Sequence, residues 1–308
     1  MSERIRLGLV GIGKIARDQH LPALAGDDRF DLVATASRHA TVDGVPAHKD
    51  IEALIAGGHD INAVSLCTPP EGRYDQARIA IDAGLNVMLE KPPAATLTEI
   101  ADLAERARAK GVTLFTTWHS REAAGVQPAK EWLADKQIEA ARITWREDIR
   151  RWHPGQEWIL AAGGFGVFDP GINAISIATK IFPHALLLDE AWMEVPEGRA
   201  SPLRAKLHMR SGAASVTADF DFLQTGPQTW DIEIDTDAGT LRLGMGGSIL
   251  QLPGGEEQKA PDREYARLYA SFADLVAAGE SDVDVRPLQL VADAFLVGER
   301  TTGEPFAF

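Results

Sequence analysis

Five short apolar runs, IRLGLVG, FDLVATAS, INAVSLCT, LNVMLE and VTLFTTWH, succeed one another through the first 120 residues, with segments of helical period between them. Strands buried on both faces read as continuous apolar runs, and their alternation with helices requires a parallel sheet covered on both sides. The first half therefore folds as a doubly wound α/β layer. From about residue 138 the texture changes to longer polar and apolar alternation, in ARITWREDIR, RAKLHMRSG, AASVTADFDF, WDIEIDTD and GTLRLGM. Turn signals such as Ser211-Gly212 and Asp237-Ala238-Gly239 join these strings, which predicts antiparallel strands with one solvated face. Helical patterns near 170–181, 263–279 and 287–298 are expected to cover the other face.

GIGKIA, residues 11–16, follows the first run immediately and opens a helix. It fits G-x-G-x-x-G/A: Gly11 makes the tight turn, Gly13 lets the backbone approach a pyrophosphate, and small Ala16 lets helix and strand pack closely. Ile12, Lys14 and Ile15 complete the cradle, where a helix amino terminus offers free N–H groups and a positive dipole end. The fold class is thus α/β, with an N-terminal Rossmann parallel sheet in residues 1–121. Residues 122–308 form a C-terminal α+β domain with a large, mostly antiparallel open sheet. The second strand ends Ala36-Ser37-Arg38-His39, without the carboxylate that NAD-specific sites place there. Ser37 and Arg38 can meet a 2′-phosphate, so NADP is expected to be accepted at least as well as NAD.

Ligands in open α/β sheets bind at the carboxyl ends of strands. Two such ends carry prolines: Thr68-Pro69-Pro70 and Glu90-Lys91-Pro92-Pro93. Proline holds φ near −65° and has no N–H to give a neighbouring strand, so each kink stops its strand and fixes the chain's exit. Thr68, Pro69, Glu90 and Lys91 are therefore expected beside the cofactor, and Lys91 within reach of a substrate. The plain alternative for Lys91 is a strand-end ion pair with Glu90. The cis or trans state of Lys91-Pro92 is open at this level. His119 ends the fifth run on the same side, placed to bind substrate or to serve as a satisfied structural histidine.

Hydrophobic residues make up 45% and charged residues 25% of the chain, which suits a packed core rather than disorder. A net charge of −14 opposes binding to nucleic acid and to anionic membrane surfaces, leaving a small molecule as the expected partner. Cys67, the single cysteine, permits no internal disulfide and reads as mid-strand. The segment MSERIRLGLVGIG lacks the apolar stretch of a signal peptide, and no run reaches the ~18 apolar residues of a membrane helix. A soluble cytoplasmic protein is expected. No H-E-x-x-H, paired-cysteine or G-x-S-x-G pattern occurs, so neither a metal site nor a serine nucleophile is expected.

Together, GIGKIA, the CTPP stretch, EKPP and the later GGFGVFDPGINAI resemble the glucose-fructose oxidoreductase / inositol dehydrogenase family, in the same order and over nearly the whole chain. The resemblance implies a Rossmann domain followed by a substrate domain whose open sheet often joins subunits, and NAD(P)-linked oxidation of sugar or cyclitol hydroxyls. The stretches ATASRH, FTTWHSRE, RWHPGQEWI and VFDPGINAISI are similar to members that oxidise the anomeric hydroxyl of aldoses such as L-arabinose or D-galactose. An inositol dehydrogenase, or a catalytically silent dinucleotide- or sugar-binding regulator, is the alternative.

The family pattern places a histidine four residues after the aspartate of the glycine-rich segment, where this chain has Asp169 and then Asn173. The amide keeps two donors and an acceptor for sugar hydroxyls but cannot relay a proton. Lys91, Asp169 and Asn173 form the expected catalytic group, with the proton assigned to Lys91 or to Asp169. Asp169 before Pro170 also suits a helix cap. Trp152 and Trp158 flank the turn-rich segment His153-Pro154-Gly155-Gln156, and Trp230 follows the loop at 224–227. The three indoles offer flat faces and N–H donors to a pyranose, and these tryptophans and His153 are expected in the substrate pocket.

Overall fold

The computed structural model describes residues 4–308, so Met1–Glu3 of the amino-terminal segment read above lie outside the described residues. Strand β1 (Ile5–Val10) leads through the glycine turn into a helix that starts at Lys14, passes one π-turn at Ala16–His20 and continues as α1 (Leu21–Ala25). Next come β2 (Phe30–Ala36), β3 (Ala47–His48), α2 (Ile51–Ala56), β4 (Ala63–Leu66), α3 (Arg73–Asp82), β5 (Asn86–Leu89), α4 (Leu97–Lys110) and β6 (Leu114–Thr116). The chain continues with α5 (Val126–Leu133), β7 (Ile138–Arg146), α6 (Ile149–Trp152), α7 (Phe168–Ile181), β8 (Leu186–Pro196) and β9 (Arg204–Ser211). It ends with β10 (Ala214–Asp221), β11 (Thr229–Thr236), β12 (Gly239–Gly244), β13 (Ile249–Gln251), β14 (Glu257–Lys259), α8 (Glu264–Ala278), α9 (Arg286–Val297) and β15 (Glu299–Gly303).

Two compact units emerge: Met1–His119 with Tyr265–Val285, and Ser120–Glu264 with Arg286–Phe308. In the first unit six parallel strands lie in the order β3-β2-β1-β4-β5-β6. The order reverses between β1 and β4, so their carboxyl ends open the crevice in which such sheets bind ligands. Local sequence fixes the surrounding helices. The TLTE segment, for example, starts α4 with a capping box in which Thr96 and Glu99 satisfy each other's backbone N–H groups.

Helix α8 corrects one expectation. Its boundaries match the periodicity, yet it covers the first sheet and not the second. Tyr265, Leu268, Tyr269 and Phe272 recur at helical spacing and pack with Ile5, Leu7, Phe30, Met88 and Phe115. Phe272 stacks on Phe30 and Phe115 at 6.4 and 6.3 Å between ring centroids. The chain beyond α8 then runs along β6, where Asp282 O accepts from Thr116 N–H at 3.0 Å and Asp284 O from the Trp118 indole at 2.8 Å. The span 122–308 is therefore interrupted, because residues 265–285 bury their apolar face in the first unit's core.

The second unit holds a nine-stranded sheet in the order β14-β13-β12-β11-β7-β10-β9-β8-β15. Its pairings are antiparallel except β7 with β10 and β8 with β15. Period-two alternation sorts the faces as expected. Ile143, Trp145, Phe220, Ile232 and Leu207 are buried, while Arg142–Asp235, Arg146–Asp219 and Arg204–Asp221 pair on the opposite face at 2.8, 2.6 and 3.3 Å. Such exposed pairs add little stability each, so apolar burial beneath the helices carries this layer. Phe168 of α7 meets Phe220 of β10 edge to face at 5.8 Å.

Candidate active site

In the first unit the glycine turn sits at the tip of β1. Gly11 has φ +89°, and a Cβ there would lie 2.8 Å from the Thr68 side chain and 2.9 Å from its backbone nitrogen. Only glycine meets both demands. At Gly13 a Cβ would touch nothing within 4 Å, which leaves its backbone approachable, and Ala16 is fully buried beneath the turn. The fingerprint thus has the form that a pyrophosphate requires. Ser37, at the tip of β2, donates its N–H to His48 O at 2.9 Å, and Arg38 is exposed beside it. Cys67 lies just past the end of β4 and not within it, its N–H bonded to Val10 O at 2.8 Å.

Half-buried Lys91 follows β5, and its bond to Pro92 is cis. Glu90 turns into the protein, 4% exposed. One carboxylate oxygen is 2.9 Å from His20 Nε2 and accepts from Tyr265 OH at 2.7 Å, while the other accepts from Lys91 N–H at 2.9 Å. Burial alone would raise the Glu90 pKa; the His20 hydrogen bond and charge, the His119 charge and the Tyr265 hydroxyl outweigh it and hold the group at about 2. Buried Arg73 donates to the carbonyls of Glu90, Pro92 and Thr68 and so ties the two proline-stopped strand ends together. His119 stacks on Tyr265 at 5.6 Å.

The second unit gathers its polar groups at one end of the sheet. Gly166, at φ +55°, passes where a Cβ would come within 2.2 Å of Pro202 O, and this approach turns the chain into α7. Asp169 stands in the first turn of α7, 5% exposed; the cap position is Val167, so Asp169 is not the cap. Buried Glu147, just past β7, has one oxygen 3.1 Å from His153 Nε2, and its other oxygen accepts from the Trp230 indole at 2.8 Å. His153 Nδ1 lies 3.9 Å from an Asp169 oxygen. Trp230 packs between Trp145 and Trp152 at 5.9 and 5.0 Å.

Four expected substrate residues, Trp152, His153, Asp169 and Trp230, therefore share one cluster. Trp230 lies in β11, as its place at the head of WDIEIDTD predicts, and pairs across the sheet with Trp145. Asn173 lies one turn further along α7, half-exposed. Trp158 sits on a separate turn, Glu157–Leu160, and among the described residues no ring contact joins it to this cluster. Glu147, His20, Arg73 and Tyr265 escape sequence reading. In WREDIR, Glu147 looks like one more solvated charge, and His20 has its partners 70 and 249 residues away. Among the described residues no cluster of three or more His, Cys, Asp or Glu is placed to hold a metal, and no helix is long and apolar enough to cross a membrane.

Comparison with known proteins matches residues 5–118 to the GFO/IDH/MocA model, described as an oxidoreductase family with an NAD-binding Rossmann fold. A galactose 1-dehydrogenase from Pseudomonas fluorescens is 41% identical over 303 residues, which cover 98% of each chain. The crystal structure of a D-galactose-1-dehydrogenase from Rhizobium etli superposes with a TM-score of 0.96 at 49% identity, covering 100% of this chain and 99% of that one. A 3-ketoreductase from Actinomadura kijaniata shares the fold at 18% identity, with a TM-score of 0.86 over 98% of this chain and 100% of its own. With the dinucleotide fingerprint in place and a relative aligned from end to end, the chain belongs to the GFO/IDH/MocA oxidoreductase family.

Proposed function

We propose that the chain is an NAD(P)-dependent aldose 1-dehydrogenase, which oxidises the anomeric C1 hydroxyl of a monosaccharide of the D-galactose or L-arabinose type to the aldonolactone. The observation that carries this reading is the cluster in which Trp152 and Trp230 pack at 5.0 Å beside the buried carboxylates Glu147 and Asp169. A pyranose has apolar C–H faces that suit indole and hydroxyl edges that donate to carboxylates. The end-to-end likeness to a galactose 1-dehydrogenase supports the same substrate class.

Gly11, Ile12, Gly13, Lys14 and Ile15 are assigned to the pyrophosphate, and Ser37 and Arg38 to a 2′-phosphate, which favours NADP or equal use of both cofactors. Thr68, Pro69, Glu90 and Lys91 border the nicotinamide. The bound dinucleotide supplies the acceptor for the hydride that leaves C1. The protein must take the C1 hydroxyl proton as the carbonyl forms. Lys91 contacts that hydroxyl, and either its amine or the Asp169 carboxylate receives the proton. A charged Lys91 would still stabilise developing negative charge on the oxygen. Asn173, His119 and His153 hold the remaining hydroxyls.

Cytoplasmic residence accords with the single cysteine, and the ion-paired face of the nine-stranded sheet is assigned as the surface through which copies associate. A steady-state screen of aldoses and inositols with both cofactors tests the substrate class. Turnover of D-galactose or L-arabinose is expected. Turnover of inositols alone would replace it with a cyclitol dehydrogenase, and cofactor binding without any turnover would leave a silent regulator.

A further inference from the structure

The first unit encloses a polar network that the proposed reaction does not use directly. His20 is fully buried, and Glu90, Tyr265 and Tyr269 are 4%, 4% and 0% exposed. The imidazole is held from both sides: Nε2 lies 2.9 Å from Glu90, and Nδ1 lies 2.8 Å from Tyr269 OH and 3.4 Å from Ser65 Oγ. Tyr265 and Tyr269 present their rings to it edge-on at 4.8 and 5.7 Å. Buried polar groups are costly unless satisfied, and a network of this kind rigidifies what it touches. The second Glu90 oxygen accepts the Lys91 N–H at 2.9 Å and so ties the network to the lysine's backbone.

From these contacts we infer that His20 and Tyr265 are positioning residues for Lys91, holding the Glu90 carboxylate that clamps the lysine's backbone. The Lys91 backbone is fixed at three points. Glu90 Oε2 takes its N–H, and the Arg73 guanidinium takes the carbonyls of Glu90 and Pro92 on either side. An amine that must meet one hydroxyl beside one cofactor ring gains from such fixation, because small misplacements of reacting groups cost large factors in rate. Tyr265 serves twice: its hydroxyl anchors Glu90, and its ring stacks on His119 at 5.6 Å. Tyr265 and Tyr269 also explain why the chain returns α8 to the first sheet, since they complete the shell around His20 and Glu90.

The proposal rests on the assignment of Lys91 to the reacting hydroxyl, and Tyr265→Phe tests it with the full-length enzyme, NADP and D-galactose. The variant keeps the buried ring and deletes the hydroxyl that donates to Glu90. A hydrogen bond to a charged group corresponds to a loss of roughly 10-fold or more, expected in kcat. The sugar KM and the NADP Kd should stay near native values, while the unfolding midpoint falls modestly because a buried carboxylate loses a donor. His20→Gln, which keeps a donor facing Glu90, should fall in kcat by a smaller factor than His20→Ala. Native kcat in Tyr265→Phe overturns the positioning role, as does an NADP Kd or sugar KM that worsens in step with kcat. Lys91→Ala, measured alongside, separates the two ideas. Loss of its turnover keeps the lysine assignment whatever Tyr265→Phe does, whereas near-native turnover overturns both.

Discussion

Glu90 in the first unit and Glu147 in the second are both buried carboxylates, 4% and 3% exposed, and each is served by an imidazole and an aromatic donor. Their surroundings differ in what is left over. Around Glu90 the imidazole is wholly enclosed and the remaining oxygen is spent on the Lys91 backbone. Around Glu147 the His153 side chain is 19% exposed, and its Nδ1 stands 3.9 Å from Asp169, too far for a hydrogen bond. A closed network holds a piece of backbone still, whereas an open one retains donors and acceptors for a ligand. On the proposed reading, the first unit fixes Lys91 and the second recognises hydroxyl groups.

The sharpest way to break this contrast is Lys91→Ala. If the closed network exists to present that amine, kcat falls by about 10³-fold, within the range of proton-transfer and charge-stabilising groups. NADP affinity and the unfolding midpoint should hold. Near-normal steady-state rates would leave the network as scaffolding alone. The next largest effect concerns the helix that closes it. Phe272 stacks on Phe30 and Phe115 inside the first core, so Phe272→Ala should cost about 3–5 kcal/mol in urea unfolding. A loss below about 1 kcal/mol would mean that α8 is not part of that core.

These two variants probe parts of the molecule that differ in how far the sequence discloses them. The alternation in the first half and the period-two strings of the second predict both sheets, since each pattern reports burial on two faces or on one. GIGKIA is legible because its demands are local, as Gly11 against Thr68 illustrates. The destination of α8 is not legible. Its apolar stripe announces that it packs, but not upon which sheet. His20 and Glu147 are hidden for the same reason: a buried polar residue is defined by its partners, and Tyr269 and Trp230 lie 249 and 83 residues away. Asp169 and His153 are visible as types, while the Glu147 that holds His153 has to be found in three dimensions.

The enclosed pair also sets a pH dependence. Because Glu90 is held at about 2, below its ordinary 4.5, its contribution is complete above pH 4.5 and is lost as pH falls toward 2. For His20, burial works downward, but the Cys67 thiol and Tyr269 hydroxyl beside it and its hydrogen bonds to Cys67 and Glu90 raise it well above 6.5. Its contribution is therefore complete below pH 6.5 and is lost as pH rises through the raised value. Hydrogen exchange of β1 and β5 amides should show greatest protection between pH 4.5 and 6.5, after correction for the intrinsic exchange rate. In His20→Gln both flanks should flatten; unchanged flanks would assign the dependence to other groups. At the exposed tip of β2, Arg38→Ala should weaken NADP by about 10-fold and NAD hardly at all. Equal losses would remove Arg38 from the 2′-phosphate.

Trp230→Phe has the smallest expected effect and draws the comparison most finely. It removes one donor from a buried carboxylate, as Tyr265→Phe does in the first unit, and keeps an aromatic ring between Trp145 and Trp152. Glu147 retains His153 at 3.1 Å, a side chain that is itself 19% exposed, so the loss is partial. In a recognition cluster that loss falls on binding. The sugar KM should rise about 3-fold to 10-fold, the span of a typical net hydrogen bond, with kcat nearly constant. Tyr265→Phe should give the reverse, a lower kcat at constant KM. If Trp230→Phe instead lowered kcat and left KM alone, Glu147 and His153 would belong to the proton transfer, and the division between a fixing unit and a recognising unit would fail.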